Sequence, residues 1–222
     1  MDTVLEPLIR SPKLPAYVQE LATLLTSERE RREKFYEELT EDIKAEFING
    51  EVFMHSPARR GHILASGNLF HLLKAHVVRH QIGEVLLEKA LVCLTRNDYE
   101  PDVLFYGKEK AAAFTLDQIR HPAPDFVVEV LSETTEKNDR GVKFEDYAAN
   151  GIAEYWIVDA NARTVEQFRL ENQVYRLHRL ARDGDRVTGI VVTGFDIPVA
   201  AIFDEQANRQ ALLTLLGVAE KP

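Results

Sequence analysis

Glu129 lies inside the apolar run Phe126-Val127-Val128-Glu129-Val130-Leu131. A carboxylate in a buried strand is strongly unfavourable unless it is paired or bound to a cation. A basic side chain across the sheet would satisfy it structurally. A metal ion or an acid–base role would satisfy it functionally. Asp102 and Asp125 both lie close behind a proline and compete to be its partner. Asp125 sits on the same strand, roughly 13 Å away at about 3.3 Å per residue, too far to share an ion. Asp102 opens a different strand. If that strand runs antiparallel to 126–131, its start meets the neighbour's end and brings Asp102 to Glu129. Asp102 and Glu129 are therefore the expected metal pair, and Asp125 the expected strand-start or turn residue. Lys143 lies on the following helix, which can pack back over the strand. Two carboxylates and a lysine are the minimal kit for Mg²⁺-assisted (or Mn²⁺-assisted) phosphodiester hydrolysis. Carboxylate oxygens hold the ion with several waters. The ion lowers the pKa of a water and neutralises phosphate charge. The lysine orients the attacking water and stabilises the pentacovalent charge.

Other residues could join that kit or stand outside it. Tyr147 shares a helix face with Lys143, and Ser132 ends the strand; either could line the site or serve only packing and capping. His76 and His80 have a Zn²⁺-compatible i, i+4 spacing, but no third ligand is evident, so exposed or capping histidines are expected. Trp156 is expected in the core. Arg59, Arg60, Lys137 and Arg140 fall in segments that would border the cleft and are the expected nucleic-acid-binding cations. No Walker loop, GxSxG or GxGxxG is present, which argues against nucleotide-driven chemistry and a serine hydrolase.

These residues need elements to hold them. Residues 1–13 read as extended, with Pro7 and Pro12 as breakers. Residues 16–25 have helical spacing, Ser27 with Glu30 reads as a capping box, and ERERREKFYEEL continues as a solvated helix. Asn49-Gly50 between alternating apolar residues predicts a hairpin over 45–54. Residues 60–80 form a long amphipathic helix ended by Gly83. Strands follow at 83–94 and 102–106, then a short helix at 115–120. The apolar strand 126–131 should be central in its sheet. A helix over 139–150 crosses to strands 154–159 and 164–170. Segments 174–180 and 186–192 form an antiparallel pair, and a helix at 205–216 closes the chain. The pattern is α/β or α+β.

Composition bounds the function. At 222 residues with 45% hydrophobic content, one domain with a modest extension is expected. Residues 1–40 read as an N-terminal helical extension and 41–222 as the main domain. No apolar run approaches a bilayer span, and the N-terminus lacks the pattern of a secretory signal. Cys93 is the single cysteine, which excludes an intrachain disulfide and fits the cytoplasm. The net charge of −9, from 27 Lys+Arg against 36 Asp+Glu, opposes a phosphate-binding surface. Affinity for nucleic acid would then need a local basic patch or a bound cation.

The longer segments carry a resemblance. PDFVVEVLS followed by DRGVKFEDYAANGIAEYWIVD resembles the Uma2 (DUF820) family of the PD-(D/E)XK nuclease superfamily. AEFINGEVFMHSP, EPDVLFY and GFDIPVAAIF extend the likeness over roughly 40–205. The resemblance implies a restriction-endonuclease-like α/β fold, a mixed central β-sheet flanked by helices, and a Mg²⁺-dependent endonuclease with DNA favoured over RNA. It implies that Asp102 is the PD carboxylate and Glu129 the first residue of the (D/E)XK element. The superfamily's lysine position holds Leu131 here, and Lys143 is the implied substitute. Glu46 matches an additional active-site acid, and His62 lies where the family carries a histidine near the site. Cutting both strands of a duplex would call for a homodimer or higher even-numbered oligomer. Two rivals stand beside this reading. One is a non-catalytic module on the same fold that binds nucleic acid or protein. The other is a carboxylate-pair hydrolase of another class, such as a glycosidase, which needs sugar-stacking aromatics.

Overall fold

The computed structural model describes residues 5–40 and 42–218. Helix α1 (Leu5–Ile9) and helix α2 (Leu14–Glu38) lead into the hairpin β1 (Ala45–Ile48) and β2 (Glu51–Met54). Next come α3 (Arg60–His80), β3 (Gly83–Leu87), β4 (Leu91–Cys93), β5 (Asp98–Tyr99) and β6 (Val103–Gly107). The centre of the chain forms α4 (Lys108–Ala111), β7 (Arg120–His121), β8 (Phe126–Val130), α5 (Glu136–Asp139) and α6 (Val142–Ala149). The last part is β9 (Glu154–Asp159), β10 (Thr164–Glu171), β11 (Val174–Arg182), β12 (Arg186–Thr188), β13 (Asp196–Pro198), α7 (Ala200–Phe203) and α8 (Glu205–Leu216).

A six-stranded sheet, ordered β11-β10-β9-β8-β6-β3, forms the body. It is mixed: β8 pairs parallel with β9 and antiparallel with β6. A crossover through α5 and α6 is what a parallel β8–β9 pair requires. A second sheet, β2-β1-β5-β4-β7, holds the hairpin. All five residues of β8 are buried, as expected for a strand with neighbours on both sides and cover on both faces. Its alternation sorts the core. Phe126, Val128 and Val130 pack with Leu69, Leu72 and Trp156 on the α3 side. Val127 packs with Tyr147, Tyr155 and Ile157 on the other side. Glu129 has the parity of Val127, so it faces α6.

Several elements differ from the sequence reading. Residues 1–4 lie outside the described residues, but Leu5–Ile9 is helical rather than extended; Pro7 falls in its first turn, where a missing N–H removes no helical bond. Helix α2 runs unbroken through Ser27, whose Oγ accepts from Arg31 four residues on instead of capping. Its charged second half is not wholly solvated. Glu28 and Phe35 are buried, Arg96 donates to Glu28 at 2.6 Å, and Arg32 donates to both oxygens of Asp98 at 2.7 and 2.6 Å. The short helix is at Lys108–Ala111, not 115–120. The 139–150 helix is split at Arg140–Gly141, where a Cβ on Gly141 would meet the Lys137 carbonyl at 2.7 Å. Strand β12 pairs with β13, the next strand in the chain, not with β11. His76 is buried and bonded to the Thr193 carbonyl at 3.0 Å, and no Zn²⁺ set includes it among the described residues.

The hairpin follows its turn chemistry. Asn49 and Gly50 both have positive φ, 52° and 85°, as a two-residue primed turn demands. Gly50 also packs so tightly that a Cβ would lie 2.6 Å from the Arg31 guanidinium.

Candidate active site

A cleft of about 320 Å³ opens where the two sheets, α3 and the β8 end meet. Its wall includes His55–Arg59 after β2, His62 from the first turn of α3, Glu100 and Asp102 before β6, Glu129 and Leu131–Thr135 at the β8 end, and Lys143 from α6.

The register of β6 on β8, Val103 opposite Val128, carries Asp102 to the β8 end. There Asp102 Oδ2 accepts from the Val130 amide at 2.7 Å, and Oδ1 lies 3.0 Å from His62 Nε2. The antiparallel arrangement needed to bring Asp102 to Glu129 is thus present. Glu129 Oε1 accepts from Lys143 Nζ at 3.0 Å and from the Tyr147 hydroxyl at 2.7 Å. Lys143 and Tyr147 are one helical turn apart on α6, which is why both reach one carboxylate.

Lys143 is buried and faces three acids: Glu46 at 2.8 Å, Glu129 at 3.0 Å and Asp139 at 3.3 Å. Glu46 Oε1 also accepts from the Glu100 amide at 3.0 Å, and its Oε2 lies 3.6 Å from His55 Nε2. One cation therefore serves three buried carboxylates, with Asp102 and Glu100 lining the same cleft. The titration behaviour follows. Burial pushes Glu129 well above the carboxylate range, against Lys143 and with help from Asp139 and Asp102. Burial likewise raises Asp139. Glu46 is also pushed up by burial, but Lys143 and His55 overcome this and bring it down to about 2. Burial disfavours the Lys143 ammonium, yet Glu129, Glu46 and Asp139 outweigh it and hold Lys143 charged. Glu100 is raised by burial to about 7.

The family profile described as "Putative restriction endonuclease", Uma2, matches residues 32–200. The chain belongs to the Uma2 family. Its fold is similar to that of a "putative nuclease belonging to DUF820" from Anabaena variabilis ATCC 29413, with a TM-score of 0.65, 14% identity, and 82% of this chain and 98% of that one covered. The type IIG restriction endonuclease BpuSI aligns with a TM-score of 0.36 and 14% identity, over 74% of this chain and 18% of that one. No curated protein matches. The fold is restriction-endonuclease-like, a mixed sheet flanked by helices, and family membership supports a nuclease.

In this Uma2 chain the remaining expected residues take different places. Leu131 and Lys143 both line the cleft, Lys143 reaching it from α6. Ser132 both lines the cleft and accepts from the Thr135 amide at 3.2 Å. Tyr147 touches Glu129 from the buried side. Asp125 accepts from the Gly107 amide at 2.7 Å and pairs with Lys110 at 2.7 Å, tying the β8 start to β6 and α4. The four basic residues do not form one patch. Arg59 lines the cleft but pairs with Glu133 at 2.9 Å. Arg140 is clamped by Glu136 and Glu166, and Arg60 and Lys137 are not part of the cleft wall. Trp156 is buried beside Phe126 and Phe195 and offers no sugar platform. Sequence reading missed Asp139 and gave Glu100 no role. Asp139 had a signal, the spacing Asp139, Lys143, Tyr147. Glu100 had none beyond its place next to Pro101.

Proposed function

We propose that this protein hydrolyses phosphodiester bonds in nucleic acid, DNA above RNA, in a Mg²⁺- or Mn²⁺-dependent reaction. The observation that carries the reading is an imbalance of charge: one buried lysine against Glu46, Glu129 and Asp139, with Asp102 and Glu100 beside them. The residues fit a divalent cation, because Glu100 Oε2 is buried without a hydrogen-bond partner and hard carboxylate oxygens suit such an ion. Asp102 and Glu129 would hold it. A bound divalent ion supplies an acidic water and neutralises phosphate charge. The protein's own groups do the rest. Tyr147 and Lys143 fix the Glu129 carboxylate by two hydrogen bonds, and Glu46 and Asp139 keep Lys143 protonated beside the cleft. The Lys143 ammonium is thereby poised to stabilise charge that develops on a phosphate. Helices α1 and α2 form an extension to the nuclease body, and an even-numbered assembly supplies a second site for the second strand.

A second reading is a non-cleaving binding module on the same fold. It draws on the net charge of −9 and on the Arg59–Glu133 and Arg140–Glu166 pairs, which neutralise cations near the cleft. One assay separates the two. Single- and double-stranded DNA and RNA are incubated with wild type and Glu129→Ala at low salt with Mg²⁺ or Mn²⁺. Wild type nicks at least one substrate, and Glu129→Ala is slower by about 10³-fold or more. Binding by both proteins without cutting by either would establish the module instead.

A further inference from the structure

Helix α2 outruns the body it packs on. Its buried residues are Glu28 and Phe35, and from Leu14 to Thr26 no residue is buried. That uncovered half is nonetheless apolar along one face. Leu14 is half-buried, and Val18, Leu21 and Leu25 are 57%, 54% and 41% exposed. Leu14, Leu21, Glu28 and Phe35 follow one another at steps of seven, so the stripe continues the face that α2 turns to the second sheet. On that face Phe35 stacks on Phe47 of β1. Between Lys13 and Glu28 the one charged residue is Glu20. An isolated helix of about 12–15 residues is marginal in water, so this half of α2 needs cover along the stripe.

We propose that this stripe docks on the same stripe of a second copy of this chain, with the two α2 helices running antiparallel. The spacing carries the choice of partner. Leu14, Val18, Leu21 and Leu25 are separated by four, three and four positions, a pattern that reads the same in both directions. An antiparallel copy therefore sets Leu25 against Leu14 and Leu21 against Val18, and the two-fold axis repeats each contact. The antiparallel sense also suits the bodies. Each body covers its own α2 from Glu28 onward, and opposite directions put the two bodies at opposite ends of the helix pair. Nucleic acid and lipid fit less well. Residues 14–27 offer no cation for phosphate. Their remaining surface, with Gln19, Glu20 and Thr23, lacks the lysines and arginines of a helix that lies on a membrane. The even-numbered assembly of the proposed nuclease gains a surface here, but the contact stands whether or not the cleft cuts.

Sedimentation velocity on the full chain, without metal or nucleic acid, reads the contact apart from any cleavage. Wild type should sediment as a dimer at micromolar concentration. Leu21→Glu buries a carboxylate twice in the two-fold contact and should weaken association at least about hundredfold. Gln19→Lys, on the opposite face of α2, should leave it unchanged. The near-ultraviolet circular dichroism of buried Trp156 checks that the body stays folded. Cross-linking reads the direction of the helices. Val18→Cys mixed with Leu21→Cys should form an interchain disulfide on mild oxidation faster than either variant alone, with wild type and its Cys93 as the control. If Leu21→Glu does not fold, the cross-links decide. A monomeric wild type, a dimer that Leu21→Glu leaves intact, or Val18→Cys linking best to itself would each overturn the proposal. A monomer that binds phosphatidylcholine vesicles and loses them on Leu21→Glu would give the stripe to a lipid surface instead.

Discussion

Two buried charge clusters sit on the hairpin side of this molecule, and they are built on opposite principles. In the first, Asp98 receives Arg32 through two hydrogen bonds and the Tyr36 hydroxyl at 2.9 Å, while Arg32 also donates to the Leu94 carbonyl at 2.8 Å. One anion meets one cation, and the fork geometry fills the available lone pairs. Nearby, the hydrogen bond from Arg96 pulls the Glu28 carboxyl below its ordinary range. In the second cluster, Lys143 faces Glu46, Glu129 and Asp139. Burial raises two of those acids rather than lowering them. The first cluster is closed and pins α2 onto the second sheet. The second is left with more acids than cations and opens on a cleft. Balanced burial of charge marks a structural joint, and unbalanced burial marks a place where a ligand completes the electrostatics.

The contrast can be broken first at the joint. Arg32→Met keeps the packing stem but strands Asp98, which is fully buried. Stability should fall by about 3–5 kcal/mol, read from the urea midpoint. Cleavage per folded molecule should stay at the wild-type level, because Asp98 takes no part in the cleft. A loss of cleavage in protein that is still folded would mean that the two clusters are coupled.

The opposite sign is expected in the second cluster. Asp139→Asn removes one of three acids competing for Lys143 and should stabilise the protein by roughly 0.5–2 kcal/mol at neutral pH. The pH dependence follows from linkage. The folded pKa of Asp139 is raised, so the folded protein holds this proton more tightly than the unfolded chain does, and ionisation destabilises the fold. The gain from Asp139→Asn should therefore be absent below about pH 4, the ordinary aspartate range. It should grow as pH rises through that range, up to the folded pKa. Thermal melts of both proteins from pH 3 to 8 check this. A variant less stable than wild type throughout would show Asp139 to be a net stabiliser.

The smallest effect concerns the cleft mouth. Arg59 is highly exposed and pairs with an equally exposed Glu133, an ion pair worth little in water and free to exchange for a phosphate. The double substitution Arg59→Ala with Arg60→Ala should weaken DNA binding several-fold. It should lower the slope of log affinity against log salt by about 0.9 for each phosphate that is no longer neutralised. An unchanged slope would place the nucleic acid elsewhere.

The legible parts of this fold were those written in short spacing. Asn49-Gly50 announced its hairpin, the charge inside FVVEVL announced Glu129, and the proline before Asp102 marked the strand start whose antiparallel pairing the fold shows. What escaped was decided by long-range packing. Nothing local shows that Glu28 is covered by Arg96, 68 positions away, so the charged half of α2 read as solvated. Asp139 sits in the polar stretch EKND, and only its placement beneath α6 buries it. Glu88 and His62 approach Asp102 from distant parts of the chain.

The central claim is that an acid-rich cleft around Asp102 and Glu129 is completed by a divalent cation. A thermal melt with and without millimolar Mn²⁺, on wild type and on Asp102→Ala, tests it most directly. An ion present at about a hundredfold excess over its Kd adds about 2.7 kcal/mol to the folded state, so the wild-type midpoint should rise by roughly 5–10 °C. Asp102→Ala should show little or no shift. An unchanged wild-type midpoint, or an equal rise in Asp102→Ala, would contradict a cation site at these residues.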